Sequence, residues 1–260
     1  MDYQAIADFL ANNLRLRTLP VAVHFLKGAP PPEKARYPSK TMGKKITLCQ
    51  AVTLARSYGW TMAIAKEDLQ CLPALIGFGL TQVEDQAKVL GRLLTKMSYA
   101  KDDLAGAGET SFLQALASGT YDTIVVGPLA KAAARPDVVA LYGNPAQMSR
   151  LSQAWTYSFS ARVAACVGGK MECAEYLIAP YKSQSARISI PGMGDRIFSM
   201  TQDDEMVFSL PGGKLEMLID GLKEAGRKVG ARYPVTFYQN FQPEFPSVHK
   251  ELAKEEGIEF

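Results

Sequence analysis

Histidine is nearly missing from this 260-residue chain, which has two, and cysteine is sparse, with four. With only His24 and His249 to draw on, thiol–imidazole catalysis and the His-Glu-x-x-His metal helix lack their bases or ligands. Four cysteines are too few for a disulfide scaffold of this length. There is no Cys-x-x-Cys pair, so the spacing of zinc ribbons and ferredoxins is missing too. Charge of one sign is also lacking: 29 Lys and Arg offset 26 Asp and Glu, leaving +3. That is too little, and too evenly spread, for a phosphate-backbone binder, so no nucleic-acid partner is expected. The longest apolar runs, Leu72 to Leu80 and Ile124 to Ala134, are short and broken by Gly, Pro or charge, and no membrane partner is expected. The first residues, Met-Asp-Tyr-Gln-Ala, lack the basic and apolar regions of a signal peptide. The expectation is a cytoplasmic protein with reduced thiols. Neither Gly-x-Ser-x-Gly nor a Walker loop occurs.

What is present is a globular composition, 47% hydrophobic and 21% charged. Apolar periodicity predicts a helix over 3–17 and a strand over 19–26. Thr47 and Gln50 form a capping box that opens a helix ending at Gly59, and a short strand follows over 60–65. Thr81 and Glu84 form a second box before the apolar series Val83 to Met97, and another helix is expected over 109–118. Strands are expected over 121–128, 137–142, 187–190, 196–200 and 205–210. Helices follow from Asn144-Pro145 to about Phe159 and from Lys214 to Lys228. Two stretches thus read strand, turn, strand, Pro or Asn-Pro, helix, a weak strand-strand-helix pseudo-repeat. The mixture without strict alternation predicts an α+β fold, with a mixed or mainly antiparallel sheet and flanking helices. No linker stands out, so residues 1–260 read as a single domain, or as two interlocked halves, 1–119 and 120–228. The tail 233–260 carries Phe237, Tyr238, Phe241 and Phe245, and is the expected surface for homo-oligomer contacts.

The candidate chemistry lies at element boundaries. Cys49 falls in the first turn of the Thr47-capped helix, where free N–H groups and the helix dipole favour a thiolate. Cys71 precedes Pro73. Cys166 stands before Gly168 and Gly169, which let backbone approach a bound group, and Cys173 falls about one helical turn after them. Four thiolates converging from such places suit an iron–sulfur cluster or zinc. The competing reading is that each packs as a small hydrophobe, Cys49 beside Ala51, Val52 and Leu54. His24 reads as a satisfied sheet residue and His249 as surface. Arg162, four residues before Cys166, places a guanidinium near the same pocket or in solvent. The run Pro191-Gly192-Met193-Gly194-Asp195-Arg196 reads either as an anion-binding loop or as a Gly-rich turn with a structural Asp–Arg pair. Asp203-Asp204-Glu205 is read as solvated turn chemistry.

Cys-Gln-Ala-Val-x-x-Ala-Arg over 49–56, Cys71 with Gly77-Phe-Gly79, Cys166 in its Gly-rich turn, Pro191 to Arg196, and Asp203-Asp-Glu-Met206-x-Phe-x-x-Pro211 together resemble one family. It is the prokaryotic family catalogued as domain of unknown function 169, and the likeness runs over about residues 5–228. The resemblance implies a stand-alone cytoplasmic protein, common in anaerobes, with no established activity. Family members often carry a cysteine in the loop matching 191–196, where this chain has Met193. On these grounds the expected function is metal or iron–sulfur binding through Cys49, Cys71, Cys166 and Cys173, with redox chemistry as one use of such a centre. Arg162 and Arg196 would balance its charge. Gly168 and Gly169 would bring backbone against the bound group. The alternative is a metal-free module for a small anionic ligand, held by the Gly192–Arg196 loop, with Gly192, Gly194 and Arg196, and by Arg162. Whether a substrate is turned over is left open.

Overall fold

Strands buried on both faces need apolar residues at every position, and several segments here have them. In a computed structural model that describes residues 1–235 and 245–259, the elements are α1 (Tyr3–Leu14), β1 (Val21–Leu26), α2 (Pro38–Thr41), α3 (Leu48–Tyr58), β2 (Met62–Ile64), α4 (Leu72–Gly77), α5 (Gln86–Lys96), α6 (Asp103–Thr110), β3 (Thr123–Pro128), β4 (Val138–Gly143), α7 (Pro145–Phe159), β5 (Ala164–Ala165), a π-helical turn (Ala174–Ile178) running into α8 (Ala179–Ser183), β6 (Arg187–Ser189), α9 (Met193–Phe198), β7 (Met206–Pro211), α10 (Leu215–Glu224) and α11 (Val248–Glu255). The strands form one seven-stranded sheet in the order β2-β3-β1-β4-β7-β6-β5. Every described pairing is antiparallel except β5 with β6. The fold is α+β, as the unstrict mixture of elements predicts. Strand β1 of the first half lies between β3 and β4 of the second, so residues 1–119 and 120–228 share this sheet.

Side-chain alternation gives the sheet two greasy faces. Val21, Val23, Phe25, Val138, Ala140, Tyr142 and Val207 turn to one side, where α3 and the π-helical turn cover them through Leu48, Val52, Ala55, Tyr176 and Leu177. Ala22, Val139, Leu141, Phe208 and Leu210 turn to the other, under α1, α7 and α10, with Leu10, Leu151, Trp155 and Leu218 in contact. The halves of the pseudo-repeat each end in a helix, α7 and α10, on that second face. Capping fixes where the helices start. Thr47 and Gln50 close the predicted box on α3, and Asn144 and Gln147 close one on α7.

Three expected boundaries are corrected, two by an aspartate N-cap and one by an aspartate in the first turn of a helix. The helix expected to open at Thr81 starts instead after Asp85, whose carboxylate accepts the Lys88 N–H at 2.9 Å. The helix expected over 109–118 lies earlier, over Asp103–Thr110, because Asp102 accepts the Ala105 N–H at 2.7 Å. The strand expected over 196–200 overlaps helix α9, where the buried Asp195 reaches back to the Gly192 N–H at 3.3 Å. In the tail, Phe237, Tyr238 and Phe241 lie outside the described residues, while Phe245 is exposed. No helix among the described residues is long and apolar enough to cross a membrane.

Candidate functional site

On the α3 side of the sheet, three cysteines from three distant segments face one cavity of about 290 Å³. Cys49 comes from the first turn of α3. Cys71 is the residue that caps α4, and Cys173 precedes the π-helical turn. The walls are apolar: Leu93 and Leu94 from α5, Met97 just after it, Pro73 from α4, and Ile197 and Phe198 from α9. Met171 and Met193 complete them, with Thr47, Glu172, Gly194 and Asp195 as the polar groups and Lys170 and Tyr99 beside them.

The thiols are held, and they are held neutral. Thr47 Oγ1 and Cys49 Sγ stand 2.9 Å apart, and the Cys49 thiol donates to the Gly194 carbonyl at 3.7 Å. Burial pushes the Cys49 thiol up to about 11, with the Asp195 charge adding to it. A helix start is expected to favour a thiolate; here burial outweighs the dipole, because the loss of water penalises the charged form throughout. Burial likewise raises Cys71 and takes Cys173 well above the ordinary thiol value, the latter also through the charges of Cys71 and Asp195. A ligand that binds thiolate here must displace protons.

Cys166 is not with them. It is exposed and lines a neighbouring hollow with Glu109, Glu172 and Glu175. Burial, then the Glu175 and Glu172 charges, raise its pKa. The two spaces are divided by residues 170–172, which line both. Glu172 anchors that partition: it is 1% exposed, and Oε1 accepts the Gly168 and Gly169 N–H groups at 2.7 and 2.6 Å while Oε2 accepts the Ser189 hydroxyl at 2.7 Å. The Gly168–Gly169 backbone, expected to approach a bound group, here donates its N–H groups to Glu172. Gly192 has a similar internal role, since a Cβ there would lie 2.9 Å from the Gly169 carbonyl oxygen.

The arginines are elsewhere. Arg196 pairs with Asp203 at 3.6 Å and donates to the Gln202 carbonyl at 2.8 Å, so the Asp195–Arg196 pair read from the sequence does not form. Arg162 is exposed and lines neither space. Asp195 instead accepts the buried Tyr176 hydroxyl at 3.1 Å. Glu205, expected in a solvated turn, is buried and gripped by Arg56 through Nη1–Oε1 at 2.8 Å and Nη2–Oε2 at 3.1 Å. His24 is partly buried within β1, and burial lowers its pKa. Glu172, Tyr176 and the wall residues of α5 carry no motif in the sequence. Only the adjacency of Glu172 to Cys173 hints at the first. Among the described residues no group of three or more His, Cys, Asp and Glu is arranged to hold a metal ion.

Asp195 gives a prediction of its own. Burial raises its pKa from 3.8 to about 6, against the pull of Tyr176 and the Gly192 N–H. The folded chain then binds this proton more tightly than the unfolded chain. Stability from this group is full below about pH 4 and is lost as pH rises through about 6. A rise of that size is worth at most about 3 kcal/mol. In urea unfolding of the reduced protein at pH 4 to 7, Asp195→Asn is expected to flatten the pH dependence between 4 and 6. Parallel curves for the two proteins would dismiss the assignment.

A family model described as domain of unknown function 169, Uncharacterised ArCR, matches residues 9–221. No curated protein and no solved structure matches the chain.

Proposed function

The chain belongs to the family of domain of unknown function 169, and from that premise, which carries no activity, we propose that it is a binding protein for a thiophilic ligand, a metal ion or small cluster, seated on Cys49, Cys71 and Cys173. One observation carries the reading: three of the chain's four thiols, 22 and 102 residues apart in sequence, face the same apolar cavity. Buried free cysteine ordinarily packs against hydrophobes one residue at a time. A shared cavity is what soft coordination requires.

The four-thiolate form of this idea, an ordinary zinc or iron–sulfur site, fits less well. Cys166 lines the adjoining hollow, and tetrahedral thiolate sites need all four sulfurs. The anionic-ligand alternative fits less well again. Neither Arg162 nor Arg196 lines the cavity, and the buried carboxyl groups of Asp195 and Glu172 do.

The test is anaerobic purification followed by metal analysis, a visible and near-ultraviolet spectrum, and a count of thiols open to alkylation. A stoichiometric metal is expected. It should be lost in Cys49→Ser and in Cys173→Ser but kept in Cys166→Ser. Metal-free protein that takes up no metal when reduced, with all four thiols alkylated at one rate, would remove this function.

A further inference from the structure

Sulfur in this cavity is not confined to cysteine. Of the ten methionines in the chain, Met97, Met171 and Met193 line the same space as the three thiols. Met97 and Met193 are 55% and 45% exposed, while the three cysteines are only partly exposed. Met97 and Met193 therefore stand toward the mouth, while Met171, like the three thiols, is only partly exposed.

These methionines sit on elements that meet. Met171 adopts φ 60°, a left-handed conformation that costs a residue with a side chain about 1–2 kcal/mol. It is held by its neighbours: Glu172 receives the Gly168 and Gly169 N–H groups, and the Gly169 carbonyl accepts the Met193 N–H at 3.1 Å. That last bond ties the segment carrying Met171 to the segment carrying Met193. Met97 reaches the mouth from the end of α5.

Donor chemistry narrows the ligand. Thioethers carry no charge and no proton, and they are poor ligands for zinc, calcium or magnesium. Thiolate and thioether sulfur together select monovalent copper and ions like it, which accept few ligands. The three thiols are not preformed as a metal-binding group, so holding an ion requires their side chains to draw together around it. Methionine has three rotatable bonds and swings readily.

We propose that the cavity is a site for a soft monovalent metal ion of the copper(I) class, received at the mouth by Met97 and Met193, passed inward by Met171, and held on Cys49, Cys71 and Cys173. This rests on the thiophilic-ligand reading and gives its ligand class. Each thiol that becomes a thiolate ligand releases one proton to solvent, and no electron moves.

The experiment uses the full reduced chain under anaerobic conditions, titrated with copper(I) in competition with bathocuproine disulfonate. Parallel titrations use zinc(II) and iron(II). One copper(I) per chain is expected, with sulfur-to-metal absorption in the near ultraviolet, and equimolar zinc(II) should not displace it. The combined variant Met97→Leu, Met171→Leu, Met193→Leu should weaken copper(I) binding by roughly tenfold or more. These swaps conserve volume, and circular dichroism against temperature checks that the fold persists. Unchanged copper(I) affinity in the leucine variant, or displacement by zinc(II), overturns this inference. If metal still binds and is lost in Cys49→Ser, the broader reading survives that failure. If no metal binds the wild type at all, both fall.

Discussion

Glu205→Gln is expected to lower the unfolding free energy by about 3–5 kcal/mol, because it leaves a buried guanidinium without its counter-charge. Arg56 and Glu205 are 2% and 3% exposed, and both ends of the fork are engaged. The Arg56 guanidinium also lies 4.1 Å from the centre of the Tyr142 ring. The loss should extend beyond stability. Glu205 accepts the Gln202 N–H at 2.9 Å, and Thr53 donates to the Ser199 carbonyl at 2.6 Å. Together these fasten the segment after α9 to the inner face of α3, and so hold Ile197 and Phe198 in the cavity wall. Denaturant midpoints give the first readout and ligand affinity the second. Replacing both partners, as in Arg56→Met with Glu205→Leu, should recover much of the lost stability. A single variant costing under about 1 kcal/mol would mean that the pair is hydrated in solution.

Gly91→Ala is the second large effect. Helices α5 and α6 cross with Gly91 and Gly106 in contact. A Cβ on Gly91 would lie 2.4 Å from the Ala107 nitrogen and 2.7 Å from the Gly106 carbonyl carbon. Backbone faces backbone there, so no side chain can give way, and the helices must separate. Overpacking of this kind costs about 1–3 kcal/mol. Leu93 and Leu94 ride on α5 into the cavity, with Met97 just after it, so ligand affinity should fall with stability. Gly108, also on α6, has nothing within 4 Å of an added Cβ. Gly108→Ala should therefore be neutral, or stabilising by up to about 1 kcal/mol through helix propensity. Equal midpoints for the two variants would refute the close crossing.

Local rules carry well where the signal is local. The box at Thr47 and Gln50, the stop at Gly59 and the Asn144-Pro145 start are each set by a few neighbouring atoms, and each stands in the fold. Where two local signals compete, the weaker pattern misleads. Ile197 and Phe198 are expected in a strand over 196–200, but Asp195 closes back on Gly192 in the first turn of a helix. The convergence of Cys49, Cys71 and Cys173 is legible as one option because all three sit at element boundaries. The position of Cys166 is not, because it depends on Glu172 pulling the Gly168–Gly169 backbone into a partition. The cavity wall is hidden for the same reason. Leu93 on α5 and Phe198 on α9 meet only through tertiary packing, which leaves no trace in nearby sequence.

The outermost strands of the sheet, β2 and β5, are three and two residues long. One is already covered: the Arg36 carbonyl accepts the Ala63 N–H at 3.0 Å, and the Arg36 N–H donates to the Thr61 carbonyl at 2.9 Å. Lateral growth of the sheet from one molecule to the next thus finds almost no template. Crowded, concentrated samples should stay free of fibrils so long as the native fold is kept.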